Sequence, residues 1–188
     1  MASPIYSAAL RRYTFRINSR GGMALKEMRP TSGKVLLALF NILGNIHGKS
    51  FLDLFSGSGR VAATARLKGA SPVVLVESDR KRHAAIVKSA PEGVKCLCAD
   101  VRRAVPRLAK SGESFDVIFS DPPYNLGWGE ELPALIAANE SILARGGVWI
   151  FERSEEEEPA QLDAEKWERE DRKYGGTVLS FYTRRNDE

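Results

Sequence analysis

The chain has 188 residues, 43% hydrophobic and 28% charged, the makeup of one globular domain that can bury a core without disulfides or metals. No apolar run approaches the ~20 residues needed to cross a bilayer. The opening Met1-Ala2-Ser3-Pro4-Ile5-Tyr6 also lacks the basic-then-apolar pattern of a secretory signal, so the expectation is a cytoplasmic protein without a membrane or metal partner. The two cysteines, Cys96 and Cys98, are too close to bridge readily and too few for a zinc site, and they read as core residues.

Net charge is +4, but its distribution says more. From Arg11 to Lys34 the chain carries Arg11, Arg12, Arg16, Arg20, Lys26, Arg29 and Lys34 against one acid, Glu27, whereas Glu152 to Asp171 is acid-rich around Glu155-Glu156-Glu157-Glu158. A basic front end on a balanced domain fits contact with phosphates. Residues 1–30 therefore read as a basic extension, with Arg11, Arg12, Arg16, Arg20 and Arg29 as candidate RNA contacts, and 31–188 as the folded domain.

Thr31 and Ser32 can cap a helix in which Val35, Leu36, Leu39, Phe40 and Leu43 recur at helical spacing. Gly44 to Lys49 is a loop. Strands and helices then alternate: strand Ser50–Phe55, helix Gly59–Lys68, strand Val73–Val76, helix Arg80–Ser89, strand Val94–Ala99, helix Val101–Ala109, strand Phe115–Phe119, helix Glu130–Leu143 and strand Val148–Phe151. Such alternation predicts a parallel sheet covered on both faces. Trp167–Tyr174 and Thr177–Thr183 flank Gly175-Gly176, a two-residue hairpin signal, so an antiparallel pair is expected to close the sheet.

Two loops carry chemistry. Phe51-Leu52-Asp53-Leu54-Phe55-Ser56-Gly57-Ser58-Gly59 runs from a strand into a helix. Its glycines let backbone approach a ligand, the helix start offers free N–H groups, and Glu77, about 20 residues on, can accept ribose hydroxyls. The spacing Gly57-x-Gly59-x-x-Ala62 also satisfies a dinucleotide fingerprint, but Asp53 would repel a pyrophosphate. S-adenosylmethionine carries an ammonium and a sulfonium instead, and an acid there suits it. Asp53 can equally cap the turn. Asp100, with Val101 after it, is placed to accept from an adenine amino group or to cap the next helix, and both roles can coexist.

The fourth strand ends in Asp121-Pro122-Pro123-Tyr124. Two prolines remove two N–H donors and leave carbonyls as outward acceptors. Asp121 and the Pro122 carbonyl could accept both hydrogens of an exocyclic base amine, whose lone pair is otherwise delocalised, while Tyr124 stacks on the base. The carboxyl ends of the parallel strands bring this loop beside the first. Neither His83, on a charged helix and read as a surface residue, nor His47, in a loop, points to a metal site or a nucleophilic triad.

The whole pattern resembles the bacterial 16S ribosomal RNA guanine-N2 methyltransferases of the RsmD type. Arg29-Pro30-Thr31 with the following helix resembles that family's element before the cofactor loop. Asp53 to Gly59 resembles the cofactor loop, including Phe55, Ser56, Gly57, Ser58 and Gly59, with Glu77 as the ribose acid and Asp100 as the adenine-side acid. Asp121-Pro122-Pro123-Tyr124 matches the catalytic loop, and Tyr174-Gly175-Gly176-Thr177 through Phe181-Tyr182 the closing hairpin. The resemblance implies a seven-stranded Rossmann-like sheet, S-adenosylmethionine as cofactor, and ribosomal RNA or a small-subunit particle as the partner of a monomer. The alternatives from the residues are an adenine-N6 methyltransferase on DNA or RNA, with no target-recognition domain visible for a sequence-specific DNA enzyme, and a non-catalytic RNA-binding assembly factor.

Overall fold

The computed structural model describes residues 33–185, so Arg11, Arg12, Arg16, Arg20, Arg29, Thr31 and Ser32 lie outside the described residues. Helix α1 (Gly33–Leu43) buries Val35, Leu36, Leu39 and Phe40 and stops at Gly44, whose φ of 63° takes it out of the helix. The predicted alternation follows: β1 (Phe51–Leu54), α2 (Arg60–Leu67), β2 (Val73–Glu77), α3 (Arg80–Ser89), β3 (Val94–Cys98), α4 (Val101–Lys110), β4 (Phe115–Ser120), α5 (Trp128–Ala138), a 3-10 turn (Glu140–Ile142), β5 (Leu143–Ser154), β6 (Trp167–Tyr174) and β7 (Thr177–Arg184).

The strands form one sheet in the order β3-β2-β1-β4-β5-β7-β6. β1 to β5 pair in parallel, while β7 pairs antiparallel with both β5 and β6. The apolar runs of β1 and β2, buried at every position, need cover on both sides. One face packs Leu52, Leu54, Val74 and Val76 against Val101, Val105 and Leu108 of α4 and Leu132 and Ile136 of α5. The other packs Phe51, Val73, Leu75 and Phe119 against α1, α2 and Ile86 of α3. Strand order reverses between β1 and β4, the switch point where open α/β sheets form a crevice at the carboxyl ends of their strands.

Two expectations need correction. The helix predicted over Glu130–Leu143 begins at Trp128 and ends at Ala138, and Leu143 already pairs with Phe115 of β4. Asn139 ends the helix by turning its side-chain amide back to the Leu135 carbonyl (2.8 Å). Five residues of β5 then span two of β4, an irregularity turned at Gly146 (φ 70°). The cysteines are not core either: β3 is an edge strand, Cys96 is half-buried and Cys98 exposed.

Candidate active site

Side chains alternate along a strand, so residues two apart share a face. Asp53 follows Phe51 on the α1–α2 face, Glu77 follows Val73 and Leu75, and Asp121 follows Val117 and Phe119. Three carboxylates thus arrive at the same face, at the ends of β1, β2 and β4.

Asp53 is 1% exposed. One of its oxygens accepts the Ala62 N–H (3.0 Å), inside the first turn of α2, so the acid caps that helix from a neighbouring strand. The Ser56 hydroxyl donates to the Asp53 carbonyl (2.9 Å) and ties the loop to the strand. Burial pushes the Asp53 carboxyl up to about 8, against the pull of its hydrogen bonds to Ala62 and Ser56, and the charges of Asp121 and Glu77 push it further. The loop bends through Phe55 (φ 62°), Gly57 (φ 55°) and Gly59 (φ 71°). A left-handed phenylalanine is uncommon, and such strain collects at functional loops. Gly59 has a packing reason as well as a conformational one: a Cβ there would stand 2.9 Å from the Ile86 side chain. Ser58 is exposed at the tip.

Glu77 is 3% exposed. It accepts the Gly57 N–H (2.9 Å) on one oxygen, and on the other the Asp79 N–H (2.7 Å) and an Arg82 guanidinium N–H (2.9 Å). A carboxylate offers about four acceptor positions, so three are taken. Accepting two ribose hydroxyls requires Arg82, whose side chain is 40% exposed, to swing off.

Asp100 caps α4 by accepting the Arg102 N–H (2.8 Å), and its second oxygen faces the Arg102 guanidinium at 3.4 Å. The capping role is therefore real, and Val101 is buried behind it. Arg102 also pairs with Glu131 of α5 and lies 4.1 Å over the Trp128 ring, which meets Phe55 edge-on at 4.6 Å. Sequence reading missed this aromatic wall joining the two loops; its signal was Trp128 opening a helix seven residues after Asp121.

Asp121 is half-buried, Pro122 buried, Pro123 exposed and Tyr124 half-buried. Asn125 (φ 61°) turns the loop toward α5. The acidic run is not a free solvated face: Glu157 accepts the Gly129 N–H of α5 (3.0 Å), and buried Arg153 donates to the Glu157 carbonyl (2.6 Å) and pairs with Asp171 (2.8 Å). That strap fastens the first turn of α5. Beneath Asp121, Ser120 accepts the Trp149 indole N–H (2.9 Å). His83 is half-buried rather than on the surface, with Nε2 buried and without a hydrogen-bond partner among the described residues. A groove over β6 and β7, lined by Leu162, Trp167, Phe181 and Tyr182 among others, contains none of Asp53, Glu77, Asp100 and Asp121.

The sheet order, the strained glycine loop over a buried acid and the Asp-Pro-Pro-Tyr turn beside it define an S-adenosylmethionine-dependent methyltransferase of the Rossmann-like class. The chain belongs to the family described as Conserved hypothetical protein 95, whose family model matches residues 17–183. It is 28% identical over 158 residues to the ribosomal RNA small subunit methyltransferase D of Haemophilus influenzae, covering 80% of this chain and 77% of that one. The solved Escherichia coli protein yhhF superposes with a TM-score of 0.72 at 26% identity, over 84% of this chain and 88% of that chain. The Thermus thermophilus 16S rRNA N2 G1207 methyltransferase, solved with AdoMet and guanosine, shares the fold at a TM-score of 0.63 and 23% identity, over 87% of this chain and 45% of that one.

Proposed function

We propose that the chain transfers a methyl group from S-adenosylmethionine to the N2 amino group of a guanine in small-subunit ribosomal RNA. The observation that carries this reading is the closeness of two acids with different work: Asp121 lies near enough to Asp53 for its charge to act on it. Asp53 would hold the cofactor's cation close to Asp121, the group that would receive the target amine. The buried Asp53, the Gly57 and Gly59 turn and the Glu77 carboxylate fit a cationic nucleoside, and family membership points to ribosomal RNA. The named small-subunit relative supports that substrate class.

When bound, the cofactor supplies an electrophilic methyl group on a sulfonium. Glu77 orients the ribose once Arg82 releases one oxygen, and Asp100 takes the adenine side. Asp121 Oδ and the Pro122 carbonyl accept the two N–H groups of the amine and turn its nitrogen toward the methyl, and Asp121 takes the proton the nitrogen must lose. Tyr124 stacks on the base. Arg11, Arg12, Arg16, Arg20 and Arg29 hold the phosphates. The protein works as a monomer in the cytoplasm, where its RNA is.

The test is transfer of labelled methyl to small-subunit RNA, free and assembled, followed by nucleoside analysis. N2-methylguanosine is the expected product; N6-methyladenosine would replace this reading with the adenine one. Asp121→Asn keeps shape and one acceptor oxygen but loses the charge that matters most as the nitrogen becomes positive. Its single-turnover rate is expected to fall on the order of a hundredfold at unchanged cofactor affinity. A rate within about threefold of the parent would remove Asp121 from the mechanism.

A further inference from the structure

The face that carries Asp53, Glu77 and Asp121 holds a fourth acid that the motifs did not mark. In β5, Trp149 and Phe151 enter the cluster shared with α4 and α5, while Ile150 enters the one shared with α1 and α2. The next residue on the Ile150 side is Glu152. Phe119↔Ile150 and Ser120↔Phe151 are the last pairs of β4 with β5, so Asp121, the first residue past β4, follows on beside Glu152, and its charge acts on that carboxyl. Glu152 is 4% exposed, and its Oε2 is fully buried with no hydrogen-bond partner among the described residues.

Among the described residues, its neighbours on this face are mainly apolar. Leu179 of β7 stands opposite it, and α1 brings Val35, Leu36, Leu39 and Phe40 to this face. Lys34 of α1 is exposed and Arg60 of α2 half-buried at the rim, and Arg153 is engaged by Asp171 and Ser180. The other acids of the face are Glu77, bound to Arg82, and Asp53, bound to Ala62. Burial, and after it the charge of Asp121, push the Glu152 carboxyl up to about 9. Buried polar atoms in folded proteins are almost always paired, so an orphan beside a reacting group calls for an explanation.

We propose that Glu152 is a positioning residue for methyl transfer: its buried carboxyl group hydrogen-bonds to Asp121 and fixes which Asp121 oxygen faces the target amine. The proposal rests on the methyltransferase reading above. Two adjacent carboxyls cannot both ionise cheaply, so the pair holds one proton. Glu152, the more buried, keeps it and donates its O–H to one oxygen of Asp121. The negative charge stays on Asp121, and its other oxygen is turned to the amine.

The experiment compares single-turnover methylation of small-subunit RNA by the parent, Glu152→Gln and Glu152→Leu across alkaline pH. Gln keeps an N–H donor and cannot ionise; Leu keeps the bulk and donates nothing. At pH 7 the Gln variant is expected within about threefold of the parent and the Leu variant down by about twentyfold or more, with cofactor affinity unchanged in both. The parent rate should fall as pH rises through about 9, when Glu152 loses the donor and repels Asp121. The Gln variant should lack that fall, which a merely structural residue would not produce. A Leu variant within about threefold of the parent, a Gln variant as slow as Leu, or an unchanged alkaline fall in Gln would each overturn the proposal. If Leu does not fold, the Gln profile decides alone. A second arm needs no methyl transfer: carbon-13 NMR of labelled glutamates should show one carboxyl titrating near 9, absent in Glu152→Gln and lowered in Asp121→Asn. A signal that titrates in the ordinary glutamate range overturns the pairing even if the parent methylates no RNA, so the two readings fail separately.

Discussion

On the proposed reading, the burial of Asp53 is expected to make cofactor affinity a function of pH. With its carboxyl near 8, roughly nine in ten molecules carry the proton there at pH 7. A cofactor ammonium beside it favours the ionised form. Return of the bound carboxyl to the ordinary range of ~4 would release ~0.9 proton at pH 7 and raise affinity about tenfold per pH unit between ~5 and ~7, levelling above ~8. Calorimetry of S-adenosylmethionine binding in two buffers of different ionisation enthalpy counts the released proton directly. Asp53→Asn keeps an acceptor for the Ala62 N–H but cannot ionise, so it should bind weakly, release no proton there and show a flat profile. Binding by the parent without proton release at pH 7, or an Asn variant with the parent's pH slope, would refute the argument.

Glu77→Ala removes both the ribose acceptor and the anchor of the Gly57 N–H, and should cost roughly 1–3 kcal/mol of cofactor affinity, read by calorimetry; an unchanged affinity would detach Glu77 from the site. Asp53 and Glu152 also set the pH dependence of stability. Both folded values are raised, so the folded chain binds more protons than the unfolded one between ~4 and ~9; their contribution is full below the unfolded values and is lost as pH rises through about 8 and about 9. Melting at pH 5 and pH 9 should show a drop in the parent that Asp53→Asn and Glu152→Gln each reduce. Neutralising Arg11, Arg12, Arg16 and Arg20 together should weaken RNA binding and flatten its salt dependence by up to ~0.7 per lost phosphate contact, at unchanged cofactor affinity; a parental slope would place the RNA elsewhere.

The fold was legible because β1 to β4 are short runs, mostly apolar, set between helices, a pattern with few solutions, and because Gly175-Gly176 announces the closing hairpin. What failed did so for local reasons. Leu143 continues an apolar helical pattern, and only the Asn139 side chain turning back on the helix, with Gly146 beyond it, shows that the chain has already entered β5. The cysteine pair looks like core because free cysteines are usually buried, yet its strand is last in the sheet, and strand order is not written in a strand's own residues. Arg82 and Arg102 drew no attention in the sequence, although Arg82 pairs with Glu77 and Arg102 with Asp100. Nothing in a helix pattern states which way a long basic side chain will fold.

The acids themselves show why motif and site diverge. Asp53 and Asp121 stand out in the sequence because each stands at the end of a strand shortly before glycine or proline, where backbone chemistry marks a loop. Glu152 has no such marker: Trp-Ile-Phe-Glu reads as an apolar strand running into a charged rim, and Glu155 to Glu158 make one more acid there unremarkable. Alternation puts it on the inner face only once the register with β4 is known. Four acids, Asp53, Glu77, Asp121 and Glu152, then share one face, where the partners of Asp53 are a backbone N–H and a hydroxyl and Glu152 has an orphan oxygen among the described residues. Such an arrangement costs stability in the free protein, and that cost grows as pH rises and the protons leave. A ligand bearing an ammonium and a sulfonium would offset it, because among the described residues neither Asp53 nor Glu152 has an ion-pair partner, unlike Glu77 with Arg82. On the proposed reading, the same imbalance that weakens the unliganded fold favours this cofactor: a dinucleotide's phosphates would deepen it, and a cation would relieve it.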